Sequence, residues 1–199
     1  MDKQKIIAFF DRRARRWDDD SDDNPAIINL ILDYAGIEKG AAVLDVACGT
    51  GILFPFYLER KVARVTGIDI SPAMIARAAE KLSDPRIELL NEDVEEYAFP
   101  APFDRVVVYN AFPHFSSPAR LIKLLSENLA PGGRLTVAHG KSRAEIDRHH
   151  HSHAGAVSVG LLPADDLAGL FQPYFTVDVV VSDERMFVVS GVKRAGPLP

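Results

Sequence analysis

Cysteine is nearly missing from this chain. Its 199 residues hold one, Cys48, which excludes an internal disulfide. Long apolar runs are missing as well. None approaches the roughly 18 residues of a membrane-spanning helix, and the opening MDKQKIIAFF carries no signal core. The expected location is therefore the cytoplasm. There is no basic excess: 23 Lys and Arg stand against 28 Asp and Glu, a net charge of −5. Proteins that live on phosphate backbones carry a basic excess or stripe, so nucleic acid is not an expected partner. The only basic run, Arg12, Arg13, Arg15 and Arg16, is followed at once by Asp18, Asp19, Asp20, Asp22 and Asp23. The two runs are expected to offset each other on or near an N-terminal helix. Internal repeats and low-complexity linkers are also absent.

What is present is an ordinary globular composition, 47% hydrophobic and 26% charged, at a length suited to one domain. Apolar residues at Ile6, Ile7, Phe9, Phe10, Ala14 and Trp17 predict an amphipathic helix over 3–17. Pro25 opens a second helix that Gly36 stops. From there strands and helices alternate. Strands are predicted at 42–46, 63–68, 86–90, 103–109 and 134–139. Helices are predicted at 52–59, 72–82, 118–129 and 161–171, with a turn at Pro131-Gly132-Gly133. Runs at 175–181 and 186–192 flank a hairpin turn. Nearly continuous apolar strands suit a sheet covered by helices on both faces. The expected fold is α/β: a Rossmann-like doubly wound sheet of about seven strands, mostly parallel, closed by an antiparallel hairpin strand. Residues 140–160 interrupt the rhythm with a connection longer than usual.

In such a sheet, ligands bind beyond the carboxyl ends of the strands. Residues 43–51, VLDVACGTG, are a strand running into a glycine loop, where the backbone turns sharply and approaches a ligand closely. Asp69 ends the next strand, and a carboxylate there can accept both ribose hydroxyls of an adenosine. Asp93 follows the third strand, within reach of an adenine amino group. A dinucleotide would want a third glycine, and Phe54 stands in its place. A glycine turn without any ligand is the plainer alternative.

VLDVACGTG, the segment Gly67-Ile68-Asp69-Ile70-Ser71-Pro72-Ala73-Met74, Asp93-Val94 and Pro131-Gly132-Gly133-Arg134-Leu135 together resemble the class I S-adenosylmethionine (SAM) dependent methyltransferases. The resemblance covers residues 26–139. Phe9-Phe10-Asp11 and Trp17-Asp18 resemble the lid region of small-molecule members related to quinone-biosynthesis methyltransferases. The resemblance implies that Asp45 and the loop residues Ala47, Gly49, Thr50 and Gly51 hold the methionine part of SAM. It gives the ribose to Asp69. Ile70 and Met74 would flank the adenine, with Asp93 and Val94 in contact with it. The expected organisation is one domain over 1–199, with residues 1–24 as an N-terminal lid helix and 140–160 as a His-rich insertion over the cleft that is not part of the general family pattern.

The acceptor side follows the fourth strand: Asn110-Ala111-Phe112-Pro113-His114-Phe115. The Asn/Asp-Pro-Pro-aromatic signature of amino methylation is absent, which argues against DNA bases and glutamine amides. Asn110 either caps the methionine end or satisfies the strand end. His114 is a candidate base, or a loop histidine without a chemical role. His139 ends the fifth strand and is expected to point into the same cleft. Five of the six histidines lie between 139 and 153. If 144–154 is a helix, Glu145, His149 and His153 align at i, i+4 spacing and could bind a divalent metal. The alternative is a solvated polar helix over the cleft. The leading expectation is methyl transfer to a small-molecule acceptor. Rivals are aminopropyl transfer on the same fold, for which extra acids are lacking, and a SAM- or metal-binding sensor without turnover. The sequence leaves the oligomeric state open.

Overall fold

The computed structural model describes residues 2–19, 23–149 and 157–195. After helix α1 (Lys3–Arg13) and a single 3-10 turn (Ala14–Arg16) comes α2 (Pro25–Tyr34), capped by the Asn24 side chain with Pro25 in the first turn. Alternation then begins: β1 (Ala42–Val46), α3 (Phe54–Glu59), β2 (Arg64–Ile68), α4 (Pro72–Lys81), β3 (Ile87–Leu90) and β4 (Phe103–Tyr109). It continues through α5 (Pro118–Glu127), β5 (Leu129–His139), α6 (Arg143–His149), α7 (Ala164–Phe171), β6 (Phe175–Ser182) and β7 (Phe187–Lys193).

Seven strands form one sheet in the order β3-β2-β1-β4-β5-β7-β6. Only β7 runs against the rest, slotted between β5 and β6. This is the expected doubly wound arrangement. The direction of winding reverses between β1 and β4, and that crevice is where such sheets hold ligands. Alternate residues of one strand feed two cores. Val106 and Val108 pack with Leu44, Leu125, Leu167 and Phe171 on one face. Val107 and Tyr109 pack with Ile31, Phe54, Tyr57 and Met186 on the other. Helices on both faces therefore account for the unbroken apolar strands.

Two expectations change. The Pro131-Gly132-Gly133 turn does not precede β5 but lies inside it, because the pairing with β4 shifts between Phe103 and Arg105 and absorbs the extra residues as a bulge. The helix expected over 144–154 begins one residue earlier, and its described part is Arg143–His149. His150, His151 and His153 lie outside the described residues.

The amino edge of the sheet is laced by arginines. Arg105 donates to the Gly36 carbonyl at 2.7 Å and pairs with Glu38. Arg134 forms a bidentate pair with Asp178 across β7. Arg60 ties α3 to Asn29 and Asp33 of α2, and Arg64 reaches the Pro102 carbonyl. No helix among the described residues is long and apolar enough to cross a membrane.

Candidate active site

At the opposite edge, a cavity of about 520 Å³ opens beyond the carboxyl ends of the strands. That is the size range of small-ligand pockets. Its floor is the loop after β1. Ala47, the first loop residue, adopts φ 53°, and Asn110, directly after β4, adopts φ 54°. Non-glycine residues in this left-handed region are uncommon and cluster at functional turns. Here the two stand at the ends of the two strands that flank the reversal. Asn110 is held by its amide: its Oδ1 accepts from the Gly140 N–H at 3.0 Å, and its Nδ2 reaches Asp23 at 3.4 Å. The side chain thus ties the ends of β4 and β5 to the N-terminal segment.

Asp69 follows β2 and is buried on the cavity wall. Its Oδ2 accepts from the Gly49 N–H at 2.9 Å and its Oδ1 from the Ser71 N–H at 2.8 Å. These bonds aim the carboxylate and leave each oxygen a further acceptor site. Burial pushes its carboxyl up to about 6, against the pull of the two backbone bonds. Asp45 is buried one layer down, in β1. Burial, with the Asp69 charge added, holds its carboxyl well above the usual range. Asp45 does not reach the cavity wall, and neither does Gly51.

Gly51 has another task. At φ 77° a Cβ there would stand 2.5 Å from the Phe54 ring, and one on Gly67 would stand 2.7 Å from it. Phe54 is almost wholly buried and fills the space beside both glycines. That space is where a pyrophosphate-binding loop would bring helix and strand together.

Ile70 and Met74 line the cavity on the β2 side, and Asp93 and Val94 after β3. Thr50 lines the floor, its hydroxyl donating to Asp18 at 2.5 Å. The roof is the N-terminal segment, anchored at both ends of its span. The Lys3 ammonium pairs with Asp93 and Glu96, and its bond to Asp93 is the main reason it is held more basic than usual. Asp11 accepts from the Ser71 hydroxyl at 2.6 Å and the Ala73 N–H at 3.3 Å, at the start of α4. Asp18 bonds Thr50 and, at 2.9 Å, Lys81. Burial opposes its charge, but these two bonds outweigh it and keep the carboxyl below the usual range. Asp18 therefore serves the loop and α4 rather than offsetting the arginine run.

The half of the cavity beneath α1 and beyond β4 is aromatic. Phe10 packs edge-on against Phe9, Trp17 and His114, with ring centroids 5.2, 5.5 and 5.0 Å apart. His114 follows β4 in a short 3-10 turn, and its Nδ1 lies 2.7 Å from the Val157 carbonyl. A carbonyl only accepts, so Nδ1 carries the proton. In the neutral ring Nε2 is then the basic nitrogen. His139 ends β5, lines the cavity and packs edge-on against Phe187 at 6.1 Å.

The proposed metal set is not assembled among the described residues. Glu145 lines the cavity, but its Oε2 accepts from the Ser142 N–H at 3.1 Å and hydroxyl at 2.7 Å, a capping box at the start of α6. Those bonds lower its carboxyl. His149 ends α6 and its side chain is not described, and His153 lies outside the described residues. No group of three His, Cys, Asp or Glu among the described residues has metal-holding geometry.

Arg13, Lys141 and Arg148 also line the cavity and were not singled out from the sequence. Arg13 was hidden inside a charge run. The one available signal was its place, three residues past Phe10 and four past Phe9, on the apolar stripe of α1.

Comparison with known proteins agrees with this geometry. Residues 43–133 match the family described as methyltransferase domain. The malonyl-[acyl-carrier protein] O-methyltransferase of Acetivibrio thermocellus is 30% identical over 138 residues, 68% of this chain and 49% of that protein. The ubiquinone biosynthesis O-methyltransferase of Yersinia pestis is 31% identical over 145 residues, 68% of this chain and 60% of that protein. The chain thus spans about half to three-fifths of the length of these curated relatives. Among solved structures, a chain of the complex between the Haloferax volcanii Trm112 methyltransferase activator and a methyltransferase superposes with TM-score 0.78 at 17% identity. That match covers 93% of this chain and 97% of the other. The chain of the DhpI–SAH complex superposes with TM-score 0.74 at 19% identity, covering 98% of each. Motifs, sheet order and relatives converge: the chain belongs to the SAM-dependent methyltransferase family.

Proposed function

We propose that this chain is a single-domain methyltransferase that moves the methyl group of SAM to a small-molecule acceptor. One observation carries the reading: the Asp69 carboxylate is buried at the end of β2, aimed into the cavity by Gly49 and Ser71. A buried carboxylate so placed suits a vicinal diol. The Asp69 carboxylate also gives this half of the cavity a negative field that favours a cationic ligand. When bound, SAM supplies a methyl group on a sulfonium whose leaving thioether is already activated.

The chain's own residues then position and desolvate. Asp69 would accept the ribose hydroxyls. Ile70, Met74 and Val94 would enclose the adenine, with Asp93 at its polar edge. Ala47, Gly49 and Thr50 would line the methionine end, while Asp45 and Gly51 shape the loop from behind. Asn110 would fix the rim between donor and acceptor. Helix α1 and the 3-10 turn after it would exclude water from above. His114, through Nε2, would take the acceptor's proton where the acceptor atom carries one, with His139 as its neighbour across the cavity. The named activities of the two relatives, both O-methylations, support an oxygen nucleophile.

Calorimetry tests the donor. SAM and its demethylated product S-adenosylhomocysteine (SAH) are expected to bind at micromolar affinity, and NAD not at all. No heat with SAM would end the reading.

A further inference from the structure

The underside of α1 is unusual for an amphipathic helix. Ile6, Phe9, Phe10 and Arg13 recur at helical spacing on one face, and Trp17 continues it past the 3-10 turn. All five line the cavity, yet α1 buries none of its residues. The apolar stripe thus faces the ligand space rather than the core. Its burial is completed by whatever fills the cavity.

Within that stripe stands a cation. Arg13 is half-buried, and its guanidinium carbon lies 3.7 Å from the centroid of the Phe9 ring. Its one hydrogen bond among the described residues is long, 3.5 Å from Nη1 to the Phe9 carbonyl. No carboxylate among the described residues lies within ion-pair distance of it. Stacking on an aromatic face steadies the charge and presents the flat fork edge-on. Such a fork matches a carboxylate bidentately. The carboxylates on this side of the cavity are already engaged: Asp23 accepts from the Tyr109 hydroxyl and Glu145 from Ser142. Around the fork, Phe9, Phe10 and Trp17 offer ring faces and edges to a flat body.

We infer that Arg13, backed by Phe9, receives the carboxylate of an acceptor whose body is flat and apolar. This rests on the proposed function, since the acceptor shares the cavity with SAM. Arg13 acts here as a specificity residue that ties the acceptor to α1, so the roof closes fully only over an acid.

Trp17 is the only tryptophan and lines the same cavity, so its fluorescence reports occupancy. The experiment titrates cinnamate and its neutral isostere cinnamamide into the SAH-saturated protein. Cinnamate is expected to bind about tenfold more tightly than the amide. Arg13→Gln should erase that preference, while Arg15→Gln, on an exposed neighbour, should keep it. SAH affinity by calorimetry should be the same in all three proteins, which also shows that the variants are folded. Equal binding of acid and amide by the unsubstituted protein would overturn the inference, as would binding of neither at millimolar concentration. A fall in SAH affinity in Arg13→Gln would overturn it too, because Arg13 would then hold the donor's own carboxylate. Failure of SAH to bind the unsubstituted protein would instead sink the proposed function.

Discussion

Asp69 carries its charge at a cost. With its carboxyl near 6 in the folded chain and about 3.9 when unfolded, the folded state keeps a proton that the unfolded state gives up. Stability from this group is therefore complete below about pH 4. It falls as pH rises towards 6 and is flat beyond, a change on the order of 3 kcal/mol. Urea unfolding across this window should show a shallower slope in Asp69→Asn than in the unsubstituted protein. SAH affinity should move the opposite way, weakening by about tenfold for each pH unit below 6, because a protonated carboxyl cannot accept from both ribose hydroxyls. Asp69→Asn should bind weakly at every pH. At Gly51, alanine would meet two obstacles, a left-handed backbone and the Phe54 ring. A loss of about 2 kcal/mol is expected on chemical denaturation. Phe54→Leu should recover part of it. A larger loss in the double variant would exclude the ring as the obstacle. Glycines, Asp69 and Phe54 were legible in the sequence because their roles depend on order along the chain. Arg13 was not, because a guanidinium inside a charge run looks the same whether it faces solvent or a cavity.

Helix α1 is held down by polar links at its margins rather than by a packed face. Lys3, Asp11 and Asp18 reach Asp93, Ser71 and Thr50, each on a different loop of the cavity rim. Such an element belongs to the low end of local stability. Amide exchange over residues 3–17 is expected to be faster than in β4 or β5, and to slow on SAH binding more than any strand does. Asp11→Ala with Asp18→Ala should speed it further while leaving the main unfolding transition in place. Loss of that transition would mean that the segment belongs to the core. The starts of α2, α4 and α5 were readable from Pro25, Pro72 and Pro118 at the first helical position, and the Asn24 and Ser71 side chains cap the first two. Two elements were not. The Pro-Gly-Gly segment enters β5 because a bulge in the pairing, a property of two strands, absorbs it. Nor was the role of Glu145 in α6, whose alignment with His149 and His153 allows either a metal ligand or a solvated polar helix; a capping serine three residues earlier bonds that carboxylate.

For the whole molecule, the cavity joins residues from α1 and from the ends of β1, β2, β3, β4 and β5. A ligand there bridges segments that part on unfolding. SAH at about a hundredfold excess over its dissociation constant should add about 2.7 kcal/mol. At roughly 2–4 °C per kcal/mol for a chain of this length, the melting temperature should rise by about 5–11 °C. A thermal-shift measurement checks this, and no shift would mean that the cavity does not hold SAH. The doubly wound, mostly parallel architecture was readable because alternating strands and helices permit few right-handed solutions. The cavity wall beyond β4 was readable in part: Asn110, His114 and His139 line it as expected, whereas Arg13, Lys141 and Arg148 join it from positions that no local pattern marks.

The arginine lacing at the amino edge lies on the far side of the sheet from all this chemistry. Arg105, Arg134, Arg60 and Arg64 fasten strand starts and helix ends without touching the cavity. The segments that would select an acceptor, residues 110–117 and the described part of 140–160, make none of those ties. Substitutions in residues 110–117 are therefore expected to leave the scaffold's fastening in place, because none of its bonds passes through them.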